Sequence, residues 1–375
     1  MIKSFERLIG SADLQMLEPL WKKAVEIEGC RRRFIHSYHY YFACLQASQI
    51  VGQGPPELEF ITACFDKGES LIAPFERVTH RYMGYAMKIL RSPIAIYVPY
   101  WDVIGIPQLN NGYPTIGFGD VLKAPAMGRW DIVQLYNVLE DSLVLSQLEK
   151  NHDLSWECWE LPRCDYLICQ SMEEFLGGLS KNFRASLRKA RNKLQKLKDI
   201  EFRSHREPEF VQKALQTFFM LEMAGWKSDC KGAIAQNLNI RQFYEILFNE
   251  YSKERRAWCE INELCAEGKI LASQICLGVD DTLYILKVAY DENYSHVSPG
   301  NMLLEWVLTR FGSKGSIRYL NLISDSAWHT DWKASFLKNW YIEIYNKTPG
   351  GSLMHAMRLL QRRLGKKPFR FTSRR

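Results

Sequence analysis

Two stretches in opposite halves of the chain are built alike: ELEFITACFDKGESLIAPFERV (57–78) and AWCEINELCAEGKILASQICLGV (257–279). Each sets a run of aromatic and β-branched residues before a charged turn with glycine, Asp66-Lys67-Gly68 in one and Glu267-Gly268-Lys269 in the other, and then a second such run. Apolar runs around a glycine turn predict β-hairpins. Behind the first come AMKILRSPIAIYV, read as strand, and RWDIVQLYNVLEDSLVLSQLEK, read as helix; behind the second come TLYILKVAY, a strand, and a helix from Gly300 to about Phe311. The order of elements repeats although the letters do not, which predicts an α/β fold, α+β in its mixed sheets, arranged as two tandem lobes. The 375 residues accommodate two domains of about 100–200 residues each. The boundaries are read as an N-terminal lobe 1–165, a C-terminal lobe 166–345, and a basic helix and tail 346–375.

At 47% hydrophobic and 24% charged, the composition excludes a disordered chain. The start, MIKSFERLIGSADLQMLEPL, lacks an uninterrupted apolar core and does not read as a secretory signal. The most apolar stretch, SPIAIYVPYWDVIGIP, is broken by Pro99 and Asp102 and falls short of the roughly 20 residues of a membrane span. The ten cysteines form no C-x-x-C pair and no Cys/His cluster at zinc spacing, so no metal is expected; reduced thiols and a cytoplasmic setting are.

The net charge of +7 is unevenly spread. Residues 346–375 hold nine Lys or Arg and no acid, so the remainder is slightly negative, and KNFRASLRKARNKLQKLK (181–198) holds eight and no acid. Gly177-Gly178 is read as a turn, and Ser180 as the N-cap of a helix whose Phe183, Leu187, Ala190, Leu194 and Leu197 pack while Lys181, Arg184, Arg188 and Arg191 form a neighbouring stripe. That stripe reads as a solvated face first and a phosphate-binding face second. In the tail, Leu353, Met357, Leu360 and Leu364 fall at helical spacing and are expected to dock, with Arg358, Arg362 and Arg363 outside.

The stretch YDENYSHVSPGNMLLEWV (290–307) ends a strand at Tyr290, crosses a polar loop and restarts as a helix at Pro299-Gly300. A helix N-terminus offers unpaired amides and the positive end of a dipole, so Ser298, Gly300 and Asn301 can hold an anion, with Pro299 fixing the backbone.

LEMAGWKSDCKGAIAQ (221–236), AYDENYSHVSPGNMLLEWVL (289–308) and IRYLNLISDSAWHTDWKASF (317–336) together resemble the acetyltransferase domain of the GNAT superfamily, in its cellulose-biosynthesis-type and Fem-like groups. The resemblance covers roughly 165–345, and its most specific element is the Ser-Pro-Gly loop. It departs from the family at Asn321, where relatives often carry Asp, at Ser228 in place of Gly, and at Trp332 in place of the Tyr before Lys333. It implies two tandem GNAT-like lobes with the C-terminal one catalytic; LKAPAMGRW, before the helix expected near Trp130, lacks the Ser-Pro-Gly cradle. The implied co-substrate is acetyl-CoA or another acyl-CoA, its pyrophosphate at Ser298–Asn301 and its pantetheine arm along Leu283–Tyr290, with an oxyanion donor near Val288 or Ala289. For the proton route the candidates are His329, whose type of side chain titrates near neutral pH, then His296, Asp325 and Asp331. Lys227, Lys333 and Glu222 complete the catalytic set, and Trp226, Trp328 and Trp332 are expected to wall the acceptor pocket. The implied activity is N- or O-acyl transfer to a small-molecule or saccharide acceptor or a cell-envelope precursor, with an anionic polymer or membrane surface as partner of the basic tail. The alternatives are a Fem-like transferase drawing an aminoacyl group from tRNA, and a non-catalytic anion-binding module.

Overall fold

A computed structural model describes residues 2–26, 33–50, 58–65, 70–82, 84–93, 99–105, 118–151, 153–224, 234–253 and 256–365. The strands are β1 (Ile2–Ile9), β2 (Leu58–Phe65), β3 (Ser70–Tyr82), β4 (Tyr85–Arg91), β5 (Ile132–Leu139), β6 (Ser155–Ile168), β7 (Glu201–His205), β8 (Ala257–Ala266), β9 (Lys269–Val279), β10 (Thr282–Tyr290), β11 (Tyr319–Asn321) and β12 (Ser335–Tyr345). The helices are α1 (Gly10–Val25), α2 (Tyr38–Ile50), α3 (Phe118–Lys123), α4 (Leu143–Lys150), α5 (Met172–Gly178), α6 (Lys181–Leu194), α7 (Pro208–Ala224), α8 (Leu238–Glu250), α9 (Pro299–Lys314), α10 (Ala327–Asp331) and α11 (Pro349–Arg363).

The chain forms two compact units, residues 1–31, 55–161 and 338–375 in the first and 32–54 and 162–337 in the second. Strand order is β1-β2-β3-β4-β5-β12 in the first unit and β7-β8-β9-β10-β11-β6 in the second. Every neighbouring pair is antiparallel except β4 with β5 in one and β10 with β11 in the other. Both units therefore carry a mixed sheet with its single parallel step at the same place in the order. A parallel step requires a crossover connection, and in the second unit α9 is that crossover.

The hairpin of the second unit turns at Glu267 and Gly268, both with positive φ (54° and 73°), the turn whose twist matches that of the flanking strands. On its far side β10 stays paired with β9 as far as Tyr290↔Ala272, skipping one residue, Leu286, in a bulge. With β11 it pairs only from Thr282↔Tyr319 to Tyr284↔Asn321. From Ile285 onward, one edge of β10 has no strand beside it among the described residues.

Several expectations are corrected. The segment read as one long helix, RWDIVQLYNVLEDSLVLSQLEK, is strand β5 followed by α4. Ile132, Val133, Leu135, Val138 and Leu139 are all buried, and a central strand covered on both faces gives a continuous apolar run that periodicity does not separate from a helix. Gly177-Gly178 closes α5 rather than forming a separate turn. Residues 32–54, expected in the N-terminal lobe, belong to the second unit, while 338–345, expected in the C-terminal lobe, and 346–375, expected as a separate helix and tail, belong to the first. Helix α2 is apolar around most of its circumference, and Phe34 just before it meets Tyr284 edge to face while Tyr40 meets Phe243. The end of β12 completes the first unit's sheet beside β5, from Asn339↔Leu139 to Tyr345↔Ile132.

Helix α11 is rotated from the expected docking face. Thr348 caps it by accepting the Gly351 N–H (3.1 Å) and donates its hydroxyl to Asp131 (2.6 Å). Gly350 and Gly351 allow the close approach, since a Cβ on Gly351 would lie 2.6 Å from the Asp131 carbonyl oxygen. Its buried face is Gly350, Gly351, Met354 and Arg358, and Arg358 is 1% exposed. The guanidinium donates twice to Glu343, at 2.7 Å each, and Glu343 also accepts from Tyr341, Tyr345 and Gln134. Removing one partner strands a buried charge, so Arg358→Met is expected to cost about 3–5 kcal/mol in urea unfolding. A cost below about 1 kcal/mol would show that the ion pair does not hold α11 in place.

Candidate functional site

The open edge of β10 is one wall of a cavity of about 600 Å³ in the second unit. Ile285–Val288 and Tyr290 line that wall, Ser298–Asn301 a second, and Leu322, Ser324, Ser326, Trp328 and His329 a third. The cavity exists because β10 and β11 part after three residue pairs while α9 starts between them in sequence.

The α9 entrance is set by backbone geometry. Asp291 starts a short 3-10 turn over Glu292–Val297 by accepting the Asn293 N–H (2.9 Å), and the turn closes at Ser298 in the left-handed region (φ 48°). Pro299 opens the helix, and the first intrahelical bond in it runs from the Met302 N–H to the Ser298 carbonyl at 3.1 Å. The Ser298 side chain does not cap the helix, so the Gly300 and Asn301 amides, as first-turn donors, have no intrahelical acceptor. A Cβ built on Gly300 meets nothing within 4 Å, so the space in front of these amides is open. No acid sits in this first turn. The arrangement fits a pyrophosphate without requiring a charged side chain. The cationic helix α6 lies alongside: Lys193 Nζ donates to the His296 carbonyl (3.2 Å) and Arg191 pairs with Glu305 of α9.

His329, on α10, is 2% exposed and lines the cavity. Its Nδ1 lies 2.8 Å from Asp165 Oδ2 and 3.2 Å from the Ser326 N–H. A carboxylate only accepts, so the Nδ1 proton goes to Asp165, the shorter contact, and Nε2 keeps its lone pair toward the cavity. Asp165 is fully buried on β6, with Arg163 Nε 2.8 Å from its other oxygen. Its backbone fixes the loop that carries the histidine, donating to the Ser324 carbonyl (3.2 Å) and accepting from the Leu322 N–H (2.9 Å). That loop turns at Ile323, a β-branched residue at φ 68°, whose N–H donates to Asn321 Oδ1 at 2.9 Å. Such a conformation costs on the order of 1–3 kcal/mol and is held here by the Asn321 amide.

The other expected residues are distributed as follows. Val288, Tyr290, Ser298, Pro299, Gly300, Asn301 and Trp328 line the cavity; Ala289 is buried and is not among the lining residues, and the strand parts at Ile285, earlier than Val288–Ala289. Trp332 is corrected from pocket wall to core: it is fully buried against Phe175 and Phe183, and its Nε1 donates to Asn301 Oδ1 (3.1 Å), orienting that side chain. Glu222 is buried with its carboxylate accepting the Ile234 N–H (2.8 Å), which places it in a structural bond away from the cavity. Lys333, His296, Asp325 and Asp331 are exposed and are not among the lining residues. Trp226 and Lys227 lie outside the described residues. No group of three His, Cys, Asp or Glu suited to a metal occurs among the described residues. Asp165 had no sequence signal, since its partner His329 is 164 positions away, and Arg163 enters only through Asp165.

Burial pulls the His329 pKa below its ordinary value, against the opposing hydrogen bond and charge of Asp165. The unfolded chain thus binds a proton before the folded one as pH falls, so stability is full above about pH 6.5 and declines below it toward the lower folded value. Urea midpoints of the native chain are expected to fall more steeply over that window than those of His329→Gln; parallel curves would remove His329 as the source.

Residues 181–334 match the family model described as Acetyltransferase (GNAT) domain. No curated protein matches the chain. Among solved structures, a conserved protein of unknown function from Bacteroides thetaiotaomicron VPI-5482 superposes with a TM-score of 0.54 at 13% identity, over 92% of this chain and 100% of that one. FemX superposes with a TM-score of 0.50 at 9% identity, over 87% and 99%. The C-terminal domain of a putative lysylphosphatidylglycerol synthetase from Agrobacterium fabrum gives a TM-score of 0.49 at 10% identity, over 90% and 95%. The chain is a mixed α/β protein of GNAT fold, and the matched residues 181–334 lie in its second unit.

Proposed function

We propose that the second unit is an acyltransferase that moves an acetyl or longer acyl group from acyl-CoA to an amine or hydroxyl acceptor, a saccharide or cell-envelope precursor fitting the cavity's mixed polar and aromatic lining. The observation that carries this reading is the meeting, in one cavity, of an unpaired strand edge, a helix entrance with open amides and the Nε2 of a buried His–Asp pair. The Gly300 and Asn301 amides would hold the pyrophosphate, and the free edge of β10 from Ile285 to Tyr290 the pantetheine amides. The thioester supplies an activated acyl carbon. Leu286, left out of the ladder by the bulge, lies where a backbone N–H can meet the oxyanion that forms there. His329 Nε2 accepts the proton of the attacking amine or hydroxyl, and Asp165 holds the ring and stabilises the imidazolium through Nδ1. A lowered pKa keeps that nitrogen unprotonated at neutral pH.

Transfer of an aminoacyl group from tRNA is the second reading, favoured by one feature: Arg188, Lys189 and Lys193 of α6 and Lys196 just after it line one hollow, and Lys193 reaches the turn that leads into α9. Calorimetric titration with CoA, acetyl-CoA and tRNA separates the two readings. Under the first, Gly300→Val fills the space before the amides and weakens CoA binding more than about tenfold, or about 1.4 kcal/mol. An unchanged Kd in the folded variant would remove the pyrophosphate from this helix entrance. His329→Gln is expected to lower thiol release from acetyl-CoA, over a panel of amine and hydroxyl acceptors, by about 10²–10⁴ with Kd for CoA unchanged. A variant that keeps its turnover would exclude His329 as the base.

A further inference from the structure

Gln274, on β9, is 2% exposed and lines the cavity, yet no polar group among the described residues meets its side-chain oxygen. A buried amide oxygen left unpaired is costly, and the large majority of buried side-chain polar atoms in folded proteins are paired. Its neighbours on the same face of the sheet are provided for. Asn262, directly opposite on β8, donates to Cys276 Sγ (3.6 Å) and accepts from Arg310 (3.3 Å), and Glu260 holds Arg310 and Arg206. The packing of the sheet thus accounts for Asn262 and Glu260 and leaves Gln274 unexplained.

Across the ladder on its other side Gln274 faces Val288, so the two side chains stand on one face with their Cβ atoms about 5 Å apart. Val288 is roughly 7 Å along β10 beyond the bulged Leu286, in the direction of Tyr290. We propose that Gln274 is a positioning residue for the acyl donor: its side-chain oxygen accepts the N–H of the pantetheine amide nearest the thioester. This rests on the acyl-CoA reading, in which the thioester carbon sits at Leu286 and the pyrophosphate at Gly300, so that the arm between them passes Val288. In an extended arm that amide follows the sulfur after a short ethylene link, which brings its N–H to the level of Val288. The acyl group lies on the other side of the sulfur and the acceptor beside His329, so neither supplies the donor. Holding the amide sets how far along β10 the thioester rests, and hence whether its carbonyl oxygen meets the Leu286 N–H.

The test crosses two changes, read by calorimetric titration of the full chain. One is Gln274→Met, which keeps the length of the side chain and removes its amide; the other is an acetyl-CoA analogue in which that pantetheine N–H is replaced by an ester oxygen. The native chain is expected to bind acetyl-CoA about tenfold more tightly than the ester analogue, and Gln274→Met to bind the two within about twofold of each other. A general disturbance of the cavity would weaken both ligands alike and leave their ratio unchanged. Gln274→Glu, which keeps an acceptor oxygen at that place, should retain the native preference. A native chain indifferent to the ester would overturn the assignment. So would a Gln274→Met variant, folded by circular dichroism, that keeps the preference for the amide; in both cases the acyl-CoA reading stands. A native chain that binds neither ligand would overturn that reading and this assignment together.

Discussion

The site rests on the early parting of β10 and β11. Two parallel strands joined by a crossover helix pair over three residues and then separate, and everything at the candidate site follows from that separation. The freed edge of β10 presents backbone donors and acceptors that a full ladder would consume. The crossover helix begins where the freed edge ends, so its first-turn amides face the same opening. The bulge at Leu286 adds a residue outside the ladder within that edge. None of these groups is a charged side chain, so an anion proposed at the helix entrance needs no basic residue in its first turn.

Around this opening, side chains already engaged elsewhere define which groups are left for chemistry. Trp332 is sunk in the core and fixes Asn301; Asn321 holds the strained turn at Ile323; Asp165 and Arg163 hold His329. The imidazole has one nitrogen committed and one available, and burial keeps the available one unprotonated at neutral pH. Each unit also carries a buried carboxylate in ion pairs: Glu343 with the buried Arg358 in the first, Glu260 with Arg310 and the more exposed Arg206 in the second. The two arginines hold the Glu260 carboxyl below the usual range although burial acts the other way. Such pairs fix geometry more than they add stability, because desolvation offsets most of the attraction.

The sequence by itself determined the hairpin at 257–279, the strand ending at Tyr290, a helix from about Gly300, the basic helix with its Ser180 cap and the two-fold repetition of element order. These are local properties: turn residues, capping side chains and periodic apolar faces act between positions a few residues apart. Tertiary structure alone decided which apolar run was strand β5, because burial on both faces erases the periodic signal. It also assigned residues 32–54 and 338–375 to their units, turned Trp332 inward, brought Asp165 to His329 and set the face of α11. In each of these the deciding partner is far along the chain, as Glu343 and Asp131 are for α11. A pattern of spacing carries no information about what a face will meet, only that it has one.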